Sequence, residues 1–158
     1  HFAQEWSVGL RSKRPLSCVV VDVDLFKHIN DTYGHDVGDA VLVQVSQALK
    51  GALRNQDFLA RLGGDEFVVV CPDTPLEAAT VCANRLHAAV SGLIISTRQL
   101  NLKVSVSCGV ACRDASMTDA DSLFKRADDS LYLAKQRGRN GVAAIQVDSG
   151  KGAQHHVA

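Results

Sequence analysis

Hydrophobic residues along this chain form short apolar runs separated by longer periodic stretches, a pattern typical of a sheet covered by helices. Residues 16–24 (LSCVVVDVD) are a β-branched run that ends in acids, which indicates a buried strand. Two apolar runs joined by Gly63 and Gly64 indicate a β-hairpin, because its tight turn needs positive φ angles. The remaining strands are predicted at residues 58–62 and 65–71 of that hairpin, at 103–111, and at 142–147.

Stretches with helical period separate these strands. A mixed segment with Gly34 and Gly38 as breaks is followed by a helix predicted to begin at about Asp39. Two later helices are predicted over residues 77–93 and from a capping box at Thr118 to about Arg137. The order β-α-α-β-β-α-β-α-β predicts a single α/β (α+β) domain with one sheet and helices packed against it.

Composition and charge exclude several classes of protein. The chain has 158 residues, enough for one domain with a core of its own. Lys plus Arg and Asp plus Glu both number 17, and this zero net charge argues against a nucleic-acid partner. No apolar run is long enough to span a membrane. The five cysteines include no C-x-x-C and are interpreted as buried free thiols rather than disulfide or zinc ligands.

Acidic residues mark the candidate chemistry. Asp22 and Asp24 lie where the first strand ends, and Asp65 and Glu66 follow the Gly-Gly turn. Either pair alone is more simply explained as an ordinary solvated turn. If three carboxylates met within about 4 Å, each pair would repel by about 4 kcal/mol, which divalent cations would relieve. Carboxylate and carbonyl oxygens are ligands that suit Mg²⁺.

Three segments occur in a consistent order: DVDLFKHINDTYGHDVGD, RLGGDEF and LYLAKQRGRN. Together they resemble the GGDEF family, the diguanylate cyclases, from about Pro15 to Val147. The resemblance implies a mostly antiparallel, five-stranded sheet surrounded by helices, as in the palm of nucleotide cyclases. It divides the chain into the end of an upstream helix or linker (1–15), a catalytic domain (16–147) and a flexible tail (148–158).

The resemblance implies condensation of two GTP into cyclic di-GMP between two facing subunits, because the product is two-fold symmetric. Two Mg²⁺ or Mn²⁺ ions per site are expected. They would be held by Asp22, the carbonyl of Val23, and Asp65. Asp65 or Glu66 would help to deprotonate the attacking 3′-hydroxyl.

By the same resemblance, the nucleotide would be bound by residues of all three segments. The triphosphate is assigned to Phe26, Lys27, Lys135 and Arg139, although a cation near a helix C-terminus also stabilises the helix dipole. Guanine is assigned to Asn30 and Asp39, for which the alternative is a helix cap. His35 is placed with these residues, in a structural role rather than as a base. The full expected set is Phe26, Lys27, Asn30, His35, Asp39, Gly63, Gly64, Lys135 and Arg139.

A second site is expected from Arg54-Asn-Gln-Asp57, an R-x-x-D, together with Arg85. The resemblance implies product inhibition here, and the alternative is a surface ion pair of little energetic value. A non-catalytic module that binds GTP or cyclic di-GMP, and a different palm-type nucleotide cyclase, are the competing functions. The domain is expected in the cytoplasm. It is expected to come from a larger protein that could be membrane-bound and whose upstream regulatory domain is not part of this chain.

Overall fold

The computed structural model of this protein describes residues 13–98, 100–148 and 152–157, together with Gln4 and Ser7. The predicted upstream helix over 1–15 therefore lies mostly outside the described residues. Among the helices that are described, none is long and apolar enough to cross a membrane.

The centre of the domain is a six-stranded sheet in the order β2-β3-β1-β6-β7-β8, and every neighbouring pair is antiparallel except β6–β7. A separate two-stranded ribbon pairs β4 with β5. The strands are β1 (Leu16–Val23), β2 (Phe58–Gly63), β3 (Glu66–Pro72), β4 (Ile95–Ser96), β5 (Asn101–Leu102), β6 (Val106–Cys112), β7 (Gly141–Asp148) and β8 (Gly152–Val157). The predicted fold class is confirmed, and the five predicted strands correspond to β1, β2, β3, β6 and β7.

Four helices cover the sheet: α1 (Phe26–Tyr33), α2 (His35–Gly51), α3 (Leu76–Ser91) and α4 (Ala120–Gln136). Alternation along β1 sends Val19 and Val21 into a core shared with α2 and α3. Cys18 and Val20 point to the other face and pack in a smaller core shared with α4. Because both faces of β1 are covered, its residues read as a continuous apolar run.

Two predicted boundaries were wrong, and both errors concern helix starts. The helix predicted from Asp39 begins at His35, with Gly34 as its N-cap, so Asp39 lies inside α2. Gly38 is not a break. It lies within α2, where an added Cβ would come 1.8 Å from the side-chain oxygen of Asn30. In α4 the N-cap is Asp119 rather than Thr118, and its carboxylate accepts a hydrogen bond from the Ser122 N–H.

The predicted flexible tail differs from the structure over Gly152–Val157, which forms β8 at the sheet edge. Without β8, β7 would be the edge strand and would expose a row of backbone donors and acceptors, which a further strand can satisfy. The β4–β5 ribbon was also missed, because two-residue strands carry no periodic signal. As expected, none of the five cysteines forms a disulfide, and four of them are buried.

Gly109 of β6 fixes the distance between the sheet and α4. An added Cβ would come 2.1 Å from the Leu131 nitrogen and 2.2 Å from the Ala127 carbonyl oxygen, both backbone atoms. Real Cβ atoms do not approach backbone this closely, so only glycine allows α4 to pack directly on β6. This close packing places the C-terminal end of α4 beside the acidic end of β1.

Candidate active site

The sheet register brings the predicted acids to one end of β1. Asp22 is opposite Glu66 on β3 and Ser107 on β6. The hairpin turn folds over the same end, where the Val23 N–H donates to the Asp65 carbonyl at 3.1 Å. The carboxyl groups of Asp22 and Asp65 lie close enough together for Asp65 to raise the pKa of Asp22. Sequence reasoning therefore anticipated correctly that acids from two distant segments converge.

Charge at this end of the sheet is only partly balanced. Burial and the neighbouring Asp65 raise the pKa of Asp22 to about 6, although Lys135 acts in the opposite direction. Lys135 Nζ forms an ion pair with Asp22 Oδ2. Burial, Asp128 and Asp22 raise the pKa of Glu66. Both pKa values are raised because burial and neighbouring carboxylates disfavour the ionised form. A cation bound at this site would therefore be stabilised by the carboxylates.

A groove of about 470 Å³ opens at this point. It combines residues from β1, α1, the hairpin turn and the end of α4, and it contains all of the predicted metal and phosphate residues. Its lining includes Asp22, Val23, Phe26, Lys27, Asp65, Lys135 and Arg139. Acids and cations from three separate sequence segments thus share a single concave surface.

The N-terminus of α1 faces this groove. Leu25 adopts a left-handed conformation (φ 56°) that turns the chain directly from β1 into the helix. The first intrahelical bond runs from the Ile29 N–H to the Leu25 carbonyl. The preceding N–H groups, including those of Phe26 and Lys27, have no carbonyl of their own helix to bind, an arrangement that favours anions.

Asp24 has a different role from Asp22. Its Oδ1 accepts from the Ser107 hydroxyl at 2.6 Å, and its Oδ2 accepts from the Ser105 hydroxyl at 2.6 Å and the Asn140 N–H at 3.0 Å. Asn140 and Arg139 both have positive φ in the turn after α4. Asp24 therefore anchors the turn that carries Arg139. The sequence signal for this role was the i, i+2 spacing of Ser105, just before β6, and Ser107, within β6, which directs both hydroxyls to the same side.

The predicted guanine residues, Asn30 and Asp39, are not among the residues that line that groove. The Asn30 side chain is packed against Gly38, and Asp39 lines a neighbouring groove of about 370 Å³. His35 lines a third groove with Tyr33. Since Asn30 lies inside α1 and Asp39 inside α2, neither is a helix cap, and that alternative is excluded.

The Gly-Gly turn is open above the chain. Gly63 and Gly64 have φ angles of 133° and 52°, and a Cβ at either position would meet no atom within 4 Å. Glycine is thus required by backbone conformation, and the space over the turn is accessible to a ligand. Glu66 follows on β3 and is partly buried.

The residues of the expected second site also come together, but without a side-chain ion pair. Asp57 Oδ2 accepts from the backbone N–H of Arg54 at 3.1 Å. Arg85 Nε donates to the Ala52 carbonyl at 2.7 Å, which holds α3 against the same turn. Among the described residues, no ion pair joins Arg54 to Asp57, so the alternative of a simple surface ion pair is not supported by this geometry.

Comparison with known proteins gives a consistent result. A family model described as "Diguanylate cyclase, GGDEF domain" matches residues 1–141, beginning before the boundary predicted at residue 16. Diguanylate cyclase A of Treponema denticola is 42% identical over 130 residues, which cover 82% of this chain and 35% of that protein. Response regulator PleD of Caulobacter vibrioides is 42% identical over 130 residues, covering 81% of this chain and 29% of PleD. The chain therefore spans about a third of the length of these curated relatives.

Solved structures agree. The active GGEEF domain of a diguanylate cyclase from Vibrio cholerae has a TM-score of 0.86 and 30% identity, with 93% of each chain covered. The GGDEF domain of DgcB from Caulobacter crescentus, solved in complex with c-di-GMP, has a TM-score of 0.85 and 29% identity, covering 90% of this chain and 82% of that one.

Proposed function

This chain belongs to the GGDEF family of diguanylate cyclase domains, and on that premise we propose that it condenses two GTP into cyclic di-GMP and releases two pyrophosphates. The observation that carries the proposal is that the Asp22 and Asp65 carboxyl groups lie close together in a groove that also holds Lys27, Lys135 and Arg139. A carboxylate pair beside three cations suits a polyphosphate bound with divalent metal.

The donor atoms fit Mg²⁺ or Mn²⁺. Asp22, Asp65 and the Val23 carbonyl supply only oxygen, the ligand type that these ions prefer. The raised pKa of Asp22 supports the same assignment, because a bound cation would favour the ionised form that burial and Asp65 disfavour. We assign two ions to each site; when bound, they would polarise the phosphoryl group and stabilise the attacking and leaving oxygens.

The chain's own groups would then position the nucleotide. The N–H groups of Phe26 and Lys27 and the side chain of Arg139 bind the triphosphate, and Lys135 moves from Asp22 to a phosphate oxygen. Asp65 or Glu66 accepts the proton of the 3′-hydroxyl. The resulting oxygen attacks the α-phosphorus of the second GTP, and pyrophosphate leaves with the electron pair. The raised pKa of Glu66 makes its carboxylate a better proton acceptor.

Each chain would bind one GTP, so two chains must face each other for both bonds to form. We propose that this occurs in the cytoplasm, where GTP is available.

The direct test is incubation of the chain with GTP and Mg²⁺, followed by separation of the nucleotides. Cyclic di-GMP and pyrophosphate are expected, with a rate that rises more steeply than linearly with protein concentration. Binding of GTP without turnover would instead identify a non-catalytic nucleotide-binding module.

Asp39→Asn is expected to weaken GTP binding several-fold without lowering the melting temperature. A carboxylate can accept from both guanine N1–H and the exocyclic amine, whereas an amide offers only one acceptor oxygen. The measurement is KM for GTP alongside a thermal melt, with Asp36→Asn as the same chemical change elsewhere on α2. An unchanged KM for Asp39→Asn would remove Asp39 from the guanine site.

We also propose that cyclic di-GMP inhibits the enzyme by binding to Arg54, Asp57 and Arg85. Arg54 and Asp57 border a groove of about 720 Å³ beside β2, away from the acidic end of β1. Guanidinium groups suit both phosphate and the O6/N7 edge of guanine. This arrangement could bind product while the catalytic groove is occupied by GTP.

Arg54→Ala should leave the initial rate nearly unchanged and weaken cyclic di-GMP binding about 10–150-fold, the cost of one charge-assisted contact. Calorimetry with cyclic di-GMP would measure this, with Lys125→Ala on α4 as the matched loss of an exposed cation. If Arg54→Ala and the unmodified chain bind the product equally, the inhibitory assignment is wrong.

A further inference from the structure

Beneath the turn that contains Asp57, the fold brings together three side chains that are far apart in sequence. Asp57 immediately precedes the Phe58–Val70 pair of the β2–β3 ladder, so it lies opposite Cys71. Cys82 comes from the face of α3 that packs on the sheet. The two sulfur atoms and a carboxylate oxygen all lie within 4.8 Å of one another.

One atom of this cluster lacks a partner. Asp57 Oδ2 accepts from the Arg54 N–H, but Oδ1 is buried and has no hydrogen-bond partner within the described part of the chain. A buried carboxylate oxygen without a donor is costly, and native proteins rarely leave one unsatisfied. Cys71 and Cys82 are themselves 0% exposed, so this oxygen is surrounded by the two thiols and not by bulk water.

We propose that Asp57, Cys71 and Cys82 form a binding site for Zn²⁺, with the fourth position taken by water. Zinc accepts this combination of thiolate sulfur and carboxylate oxygen in a tetrahedral arrangement. Bond lengths of about 2.3 Å to sulfur and 2.1 Å to oxygen place tetrahedral ligand atoms about 3.5–3.8 Å apart. The present separations reach that spacing through movements of about 1 Å. Bound zinc would supply the partner that Asp57 Oδ1 lacks.

The surrounding charges suit this ligand set. One carboxylate and two thiolates carry three negative charges, of which a divalent ion cancels two. A hydrogen bond from Cys71, with Arg85 and Arg54 nearby, lowers the pKa of Cys82, whereas the same hydrogen bond and burial raise the pKa of Cys71. An acidic thiol loses its proton to a metal more readily. Asp57 also lines the 720 Å³ groove, which gives an ion a route to the cluster.

Cobalt(II) provides a spectroscopic test, because thiolate ligation produces charge-transfer absorption in the near ultraviolet that histidine or carboxylate ligation does not. Titration of the reduced chain with Co²⁺ should develop this band and saturate at one equivalent, and Zn²⁺ should then abolish it by displacement. Cys82→Ser and Cys71→Ser should each lower Co²⁺ affinity by more than the roughly 10–100-fold that loss of an outer partner costs. Cys112→Ser, outside the cluster, should behave like the unmodified chain.

Asp57→Asn tests the site even if a buried cysteine variant fails to fold. This variant is expected to fold, because Asp57 lies in a turn and asparagine can still accept from the Arg54 N–H. This variant should retain the sulfur band but bind Co²⁺ more weakly. Absence of the band in the unmodified chain, or an undiminished Co²⁺ affinity in both Cys71→Ser and Cys82→Ser, would overturn the proposal. The titration contains no nucleotide, so its outcome is independent of the proposed cyclase activity.

Discussion

Asp65→Asn is expected to reduce cyclic di-GMP formation by about 10²–10³-fold or more, the range seen when one group that stabilises the transition state is removed. Asparagine keeps the shape of the side chain but loses the charge that would hold the metal ions. Asp65 lies in a turn whose backbone carbonyl, rather than its carboxyl group, bonds Val23, so the substitution leaves that contact in place. The loss should therefore appear in activity and not in folding.

The measurement is the initial rate of pyrophosphate release at saturating GTP and Mg²⁺, together with a thermal melt. Asp129→Asn is the matched control, because Asp129 is an exposed carboxylate on α4 outside the groove. Excess EDTA should abolish turnover by the unmodified chain. If Asp65→Asn remains fully active, or if turnover persists in EDTA, the metal-binding role assigned to Asp65 is wrong.

Asp22→Asn is expected to abolish the proposed cyclase activity and, at the same time, to stabilise the chain in EDTA at pH 8. Burial and the proximity of Asp65 raise the pKa of Asp22 to about 6, so its ionised form is disfavoured in the folded state. A neutral amide removes that penalty. We expect a gain on the order of 1–3 kcal/mol in the free energy of unfolding, since one pKa unit corresponds to about 1.4 kcal/mol.

The sign of the pH dependence follows from proton binding. Between the ordinary carboxyl pKa of 3.8 and the folded value of about 6, the folded chain holds more protons at Asp22 than the unfolded chain does. The contribution of Asp22 to stability therefore decreases as pH rises through this interval and is constant above it. The advantage of Asp22→Asn should be full at pH 8, shrink as pH falls below 6, and vanish near pH 4.

Asp24→Asn is the matched control from the same D-x-D, and its effect should have the opposite sign. The Asp24 carboxylate accepts three hydrogen bonds, and an amide cannot accept at both ends. We expect a loss of about 1–3 kcal/mol. Denaturant unfolding in EDTA measures both variants. If Asp22→Asn destabilises the chain as much as Asp24→Asn does, the two acids have the same structural role and the electrostatic interpretation fails.

The periodicity of hydrophobic residues predicted most of the strands and helices, because it reflects which faces of each element are buried. The run in β1 is continuous because both faces of the strand are covered, and the stripe in α2 faces a single core. Helix starts were less predictable. Asp39 is a residue type that often caps helices, but the cap is Gly34, which ends α1 and begins α2. This boundary depends on the backbone conformation of Gly34 and not on a capping side chain.

The sequence by itself determined the order of the elements, the family and the residue types of the site, because these depend on local spacing and on motifs that are contiguous. Tertiary structure decided which of those residues meet. Strand register puts Asp22 opposite Glu66, and the hairpin turn brings Asp65 to the same end. Asp24, only two residues after Asp22, instead accepts hydrogen bonds from Ser105 and Ser107. The contact of Asp57 with Cys71 and Cys82 likewise needs a ladder and a helix to be packed together. Such contacts join residues distant in sequence, and no local pattern encodes the distance between them.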